Sequence, residues 1–333
     1  MALLAEKAKT GYSRNSTSED GQVTDSVVSD AAPAGADKTT GSGVTGSGSA
    51  SLRSQLVRIT DDLLHETCEF LHRELNGDIS VEGWKSLLRY PWLRPNSDYG
   101  VALVRPNEGV VGVLAVVYSE QLIEGRVERF ANLAHWCVKP AYRRESLRLM
   151  KAMMAQKDLT LTGFSPIREV AKIVCGLGWK KLDDHVYLIP NVGVSFAARK
   201  LRVLTSFDEI FAIVDERHKR IMSDHGRRSR GRFVLVTDGS HWCLSVHTIE
   251  TRKGVALSIP IYLSDYDLFR RWMTLFLSTY RTLDGCWATL CQPRFLSSRP
   301  VIALRLAEPR PHVFRSAGVA PASVTALYSD AVL

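Results

Sequence analysis

The chain holds 333 residues, with 43 Lys and Arg against 35 Asp and Glu, a formal net charge of +8, and 45% hydrophobic residues. That length accommodates two compact domains and a tail, while no apolar run approaches the roughly 18–20 residues of a bilayer helix and the first residues lack the long apolar segment of a secretion signal. A cytoplasmic protein that binds no membrane is the expectation, and the positive charge favours anionic partners, phosphate-bearing cofactors and nucleic acid alike.

Residues 1–55 are rich in Ser, Thr, Gly, Ala and Asp and nearly free of aromatics, so they cannot bury enough apolar surface to offset chain entropy, and a disordered tail is predicted. Order is expected from about Val57. Thr60-Asp61-Asp62 reads as a helix start followed by Leu63, Leu64, Cys68, Leu71 and Leu75 at helical spacing, and a second helix is predicted over 81–89 with Trp84, Leu87 and Leu88. Three strands follow at 99–104, 110–118 and 128–138, separated by turn signals at 106–109 and 124–125, which implies an antiparallel meander. A helix over 143–154, a strand over 159–164, a helix over 166–177 capped by Ser165 and a strand around 187–189 complete the first half. The second half reads as a helix over 207–222, strands at 233–237, 242–249 and 255–262, a helix over 266–280, and strands at 286–291 and 301–306.

The strand over 128–138 runs through Val138-Lys139-Pro140-Ala141-Tyr142-Arg143 into a basic helix start. A helix that opens after a buried strand presents unpaired N–H groups and a positive dipole end, a cradle for phosphate. This run resembles the coenzyme motif of the GNAT superfamily, the acyl-CoA N-acyltransferases, in which Val-x-Pro-x-x-Arg leads into [RQ]-x-x-G-x-[GA]. Val138, Pro140 and Arg143 match; Ser146 and Arg148 stand where the family has its small residues. Cys175-Gly-Leu-Gly-Trp179 is similar to the family's closing Leu-Gly-Phe, and the element order over residues 57–190 agrees.

The resemblance implies an α/β fold of the GNAT type, a mostly antiparallel mixed sheet with one splayed parallel pair, over residues 56–195. Residues 200–333 would form a second α+β domain, and its strand-turn-strand order reads either as a degenerate copy of the first or as an unrelated cap. It further implies acetyl-CoA or another acyl-CoA as co-substrate, held by Trp136, Cys137, Val138, Arg143, Arg144, Glu145, Ser146, Leu147 and Arg148. An amine or amino-sugar acceptor would lie near Trp84, Trp92 and Tyr99.

Where the family often carries a catalytic glutamate this chain has Asn132, which cannot take a proton but can orient water, and position 174 is a valine where relatives place an acidic tyrosine. His135 has a suitable unperturbed pKa, although strict alternation puts it on the opposite face from Asn132 unless a bulge intervenes. Glu128 shares the face of Asn132. Tyr187 is a further acid candidate if its strand reaches the splay. These departures leave open a non-catalytic acyl-CoA-binding regulator. Nucleic-acid binding through Arg227, Arg228, Arg230 and Arg232 is the weaker alternative, since no aromatic residue is interleaved among them. The six cysteines form no C-x-x-C pair, so no metal is expected, and a homo-oligomer stays open.

Overall fold

The structure is a computed structural model that describes residues 53–90, 92, 98–192, 200–226 and 230–330. The tail expected over 1–55 lies outside the described residues up to position 52, and Gln55 already opens a strand. Arg227 and Arg228 of the basic loop also lie outside the described residues.

The first half contains β1 (Gln55–Arg58), α1 (Asp61–Glu74), α2 (Val81–Leu88), β2 (Gly100–Arg105), β3 (Gly109–Ile123), β4 (Arg126–Val138), α3 (Ser146–Met154), β5 (Leu159–Gly163), α4 (Arg168–Gly176) and β6 (Lys180–Pro190). The second contains β7 (Arg202–Leu204), α5 (Phe207–Ile213), α6 (Glu216–His225), β8 (Arg232–Thr237), β9 (Trp242–Arg252), β10 (Val255–Leu263), α7 (Tyr266–Arg271), α8 (Met273–Asp284), β11 (Ala288–Cys291) and β12 (Leu304–Arg315). Local chemistry accounts for many boundaries. The Ser80 hydroxyl accepts the Gly83 N–H at 3.1 Å at the start of α2. The β3–β4 hairpin turns on Glu124 (φ 49°) and Gly125 (φ 77°), both in the left-handed region that matches strand twist. Gly100 (φ 116°) lets β2 approach β3, since a Cβ there would stand 2.2 Å from the Leu114 carbonyl oxygen.

All twelve strands join one sheet in the order β1-β2-β3-β4-β5-β12-β6-β11-β10-β9-β8-β7. From either end the order reads alike: antiparallel strands, then a parallel pair, β4 with β5 and β10 with β11. At the centre the halves exchange strands. β12 of the second half lies between β5 and β6, antiparallel to both, and β6 of the first half lies between β12 and β11. Helices α1 and α2 pack one face of the first half around Trp84, Phe70 and Leu71, α3 and α4 pack Met150, Met153, Ala171 and Val174 on strands β2–β5, and α7 and α8 cover the second half through Phe269, Phe276 and Tyr280.

Four sequence expectations are corrected. The helix over 207–222 is two helices, because Val214 is extended (ψ 156°) and the Asp215 side chain caps α6 by accepting the His218 N–H. That over 266–280 is likewise broken at Trp272. Ile167, not Ser165, precedes the first turn of α4. The last strand begins at Leu304 rather than Val301 and runs to Arg315, through an excursion at 308–311 where four residues of β12 stand against one of β6. Pro309 and Pro311 sit in this excursion, where no ladder hydrogen bond is demanded of them.

Charged groups are buried where the halves cross. Arg294, in the turn after β11, pairs with Asp183 of β6, and His312 of β12 lies 3.5 Å from the same carboxylate. Burial pushes the Arg294 guanidinium down to about 9 and the His312 imidazole down to about 4. From Ser316 the chain crosses the second half, where Tyr266 donates to the Ala322 carbonyl and Tyr328 to Asp224, and returns to the first half at Asp330.

Candidate functional site

The parallel ladder between β4 and β5 runs from Arg129–Leu159 to Asn132–Thr162, whereas β4 continues to Val138. Beyond Asn132 the two strands diverge. A cavity of about 390 Å³ lies in this gap, and its lining includes Leu133, Ala134, His135 and Trp136. Four consecutive residues of a strand can border one space only if the space lies along the strand's edge, because side chains alternate between faces. Backbone N–H and C=O groups on that edge are therefore placed for an extended ligand to pair with, as a further strand would.

The lining also draws on the end of β5, the turn after it and α4, through Gly163, Ser165, Pro166, Ile167, Val170 and Val174. The lining also includes the apolar Met150, Trp179 and Val313 and the polar Asn76, His135, Arg310 and Asp330. Trp84, Trp136 and Trp179 all line the space, and the indole N–H of each lacks a hydrogen-bond partner among the described residues.

The ladder between β3 and β4 shifts where Val116 faces Leu133 and Ala115 faces His135, so Ala134 is an extra residue. This bulge reverses the alternation and brings His135 to the face of Asn132, opposite Ala115 and Val117. The His135 ring packs edge-on against Trp84 at 4.8 Å between centroids. Asn132 is buried; its Nδ2 lies 3.4 Å from both the carbonyl and the hydroxyl oxygen of Thr162, and its Oδ1 accepts the Asp330 N–H at 3.3 Å. The Asp330 carboxylate accepts the Ser165 hydroxyl at 2.7 Å. Asp330 thus bridges β4 and the end of β5 at the fork.

Glu128 is half-buried and outside the cavity lining, four residues before Asn132 and so about 13 Å along the strand. Of the aromatic residues singled out for the acceptor, Trp84 lines the cavity. Trp92 instead donates its indole N–H to the Tyr118 carbonyl, and buried Tyr99 donates its hydroxyl to the exposed Asp61. Tyr187 lies on β6 opposite Cys291 and Arg305, away from the cavity. Asp330 and Arg310 escaped sequence reasoning, because nothing in the pattern around 301–330 ties it to a motif some 170 residues earlier.

The expected phosphate cradle has a particular form. Residues Pro140–Glu145 make a 3₁₀ turn that continues into α3. The Tyr142 N–H donates to the Lys139 carbonyl and the Ser146 N–H to that of Arg143, so neither points outward. Arg148 pairs with Glu145 and donates to the Ser54 carbonyl at 2.8 Å, while Ser54 donates to Glu145 at 3.0 Å. Burial opposes ionisation of Glu145, but the Ser54 hydroxyl and the Arg148 guanidinium outweigh it and hold the carboxyl below its ordinary range. Arg143, Arg144 and Leu147 are exposed. Of the remaining residues in this stretch, Val138 pairs with Gly112. The Cys137 thiol, pushed up to about 11 by burial, is not a nucleophile at neutral pH.

No protein-family model and no curated protein matches the sequence. Solved structures do match. A GCN5-related N-acetyltransferase from Anabaena variabilis superposes with a TM-score of 0.51 over 79% of this chain and 72% of its own, at 12% identity. A conserved Enterococcus faecalis V583 protein of unknown function does so with a TM-score of 0.53 over 79% and 72%, at 10% identity. The chain therefore has the GNAT fold, a mixed α/β sheet with a splayed parallel pair. Among the described residues no helix is long and apolar enough to cross a membrane, and no cluster of His, Cys, Asp and Glu is arranged to hold a metal ion.

Proposed function

We propose that the protein is an acyl-CoA-dependent N-acyltransferase whose reaction takes place at the fork between β4 and β5. One observation carries this reading: a carboxylate, Asp330, is fixed at the point where two parallel strands part around a cavity open along a strand edge. The pantetheine arm would lie along Leu133–Trp136, pairing with the edge of β4. Arg143 and Arg144, exposed beside the 3₁₀ turn, would meet the diphosphate as side-chain charges, taking over from amides that the turn consumes.

The chemistry follows from the arrangement. The attacking amine must be neutral, so its proton passes to Asp330, directly or through one water. Nitrogen bonds to the thioester carbon, the C–S bond breaks, and the proton that the new amide nitrogen sheds passes through water to the thiolate. Backbone N–H groups at the Ala134 bulge would polarise the thioester carbonyl. Asn132 acts through Asp330 as a positioning residue, and His135, held against Trp84, offers a second route for the proton.

The second half repeats the parallel pair, and its β10 carries a register shift at Ile261 comparable with that at Ala134. In our reading it is a closed copy of the same unit, in which Ile261 and Tyr262 pack with Val324 and Leu327 in one core. Calorimetry with acetyl-CoA and longer acyl-CoAs tests the proposal. Binding is expected, about tenfold weaker when Arg143 and Arg144 both become alanine. Thiol release with an amine panel then separates an enzyme from a binding protein. Absence of heat with every acyl-CoA would overturn the reading.

A further inference from the structure

We infer that the acyl group is not acetyl but an alkyl chain of about six to ten carbons, seated between α3, α4 and the sheet. This rests on the transfer reading above and specifies its donor. Leu114, Met150, Val174, Trp179 and Val313 all line the cavity, and all are buried members of the one apolar cluster that α3 and α4 make with the sheet. Leu133, Trp136 and Val170, also in the lining, pack against that cluster. The cavity therefore enters the core. His135, the polar residue of β4 in the lining, is on the other face of the sheet, opposite Ala115 and against Trp84.

Protein interiors are packed to the density of organic crystals, so a large void in a core is an exception that asks for an occupant. Apolar space of this kind holds water poorly and takes up apolar groups instead. Its volume sets their size. A methylene group needs about as much room as a water molecule, about 30 Å³, and the cavity has about 390 Å³. An acetyl group fills about a sixth of that space. With half of it given to the coenzyme's thiol arm about six carbons still fit, and about ten fit when the arm keeps to the strand edge.

Placement joins the apolar wall to the reacting carbon. The β4–β5 ladder ends at Asn132–Thr162, and the next residue of β5, Gly163, stands opposite Val313. Leu133 and Val313 thus bring the wall to the point where the strands part. Helix α4, which carries Val170 and Val174, packs on β12. A coenzyme arm that runs along β4 from Arg143 toward Leu133 delivers its thioester to this point, and the chain beyond the thioester meets the core side chains of the lining.

The bonds that change are those of the transfer above. Nitrogen joins the acyl carbon, the C–S bond breaks, the proton shed by the new amide nitrogen reaches the thiolate through water, and the products are an N-acyl amide and free coenzyme thiol. The alkyl chain takes no part in bond making; it anchors the donor.

Calorimetry with acetyl-, hexanoyl-, octanoyl- and decanoyl-CoA on the full chain tests this. Each buried methylene tightens binding by up to about fourfold, so octanoyl-CoA should bind at least about thirtyfold more tightly than acetyl-CoA, and the gain should stop beyond about ten carbons. Val170→Phe adds bulk at a half-buried lining position and should move the tightest-bound chain about two carbons shorter, while Met150→Ala should move it longer. Thiol release with an amine panel should follow the same order in kcat/KM. Equal or tighter binding of acetyl-CoA overturns the inference, as does turnover of acetyl-CoA alone. A gain that continues through palmitoyl-CoA and ignores Val170→Phe is adhesion to the surface and overturns it too. Each of these results leaves the transfer reading standing, since an acyl-CoA has still bound. Should Met150→Ala fail to fold, Val170→Phe and the series on the unmodified protein still decide. Failure of every acyl-CoA to bind removes the transfer reading itself, and this inference with it.

Discussion

His225 supplies the most quantitative prediction. It closes α6 with 1% of its surface exposed, its ring between Trp92 and Tyr328 at 5.3 and 4.9 Å, and both ring nitrogens lack hydrogen-bond partners among the described residues. Burial penalises the charged imidazolium and pushes the pKa down from 6.5 to about 4. The folded value is below the unfolded one, so the unfolded chain binds the proton first and stability falls as pH drops through 6.5. The loss is complete below about 4. A shift of about 2.5 units corresponds to about 3 kcal/mol in full and to about 2 kcal/mol between pH 7 and pH 5. Urea denaturation at pH 7 and pH 5 should show at least this loss in the unmodified protein, since His312 is depressed too, with His225→Phe recovering about 2 kcal/mol of it. Parallel behaviour of the two proteins, or a His225 imidazole resonance titrating near 6.5 in the folded protein, would refute the reasoning. Tyr328 stands two residues before Asp330, so acid loosening at His225 should also blunt turnover.

Asp330→Asn keeps the shape and an acceptor for Ser165 but cannot take a proton; thiol release should show kcat lower by about 10²–10⁴ with the circular dichroism unchanged. Arg294→Met leaves Asp183 as an uncompensated buried charge and should cost about 3–5 kcal/mol in urea denaturation, and adding Asp183→Leu should return most of it. A chain ending after residue 192 lacks β12 and β11 beside β6 and should show no cooperative unfolding, whereas co-expression with the remainder should restore it.

Much of this fold was legible because its cause is local. The meander from β2 to β4 follows from apolar strands joined by Gly109 and by Glu124-Gly125, and the Val138–Arg143 motif places the end of β4 correctly at the mouth of the gap. What escaped was non-local or masked by local signals. Pro309 and Pro311 read as strand breakers, yet they occupy an excursion that the strand survives, so β12 came out at half its length and Arg310 went unnoticed. His135 seemed to be on the wrong face until the bulge at Ala134 added one residue. No periodicity reports that Asp330 returns to Asn132, a contact between residues 198 positions apart.

The exchange of β6 and β12 has a bearing on how the chain is made. Gly163 finds its neighbour Val313 only after 150 further residues have left the ribosome, and pairings of such separation fold slowly. Until then one edge of β5 stands open, and β6 has both edges open until β11 is made and one thereafter, as exposed templates for chance pairing with other nascent chains. Fast synthesis at high concentration should therefore favour inclusion bodies, and slower synthesis or a chaperone that shields strand edges should raise the soluble yield.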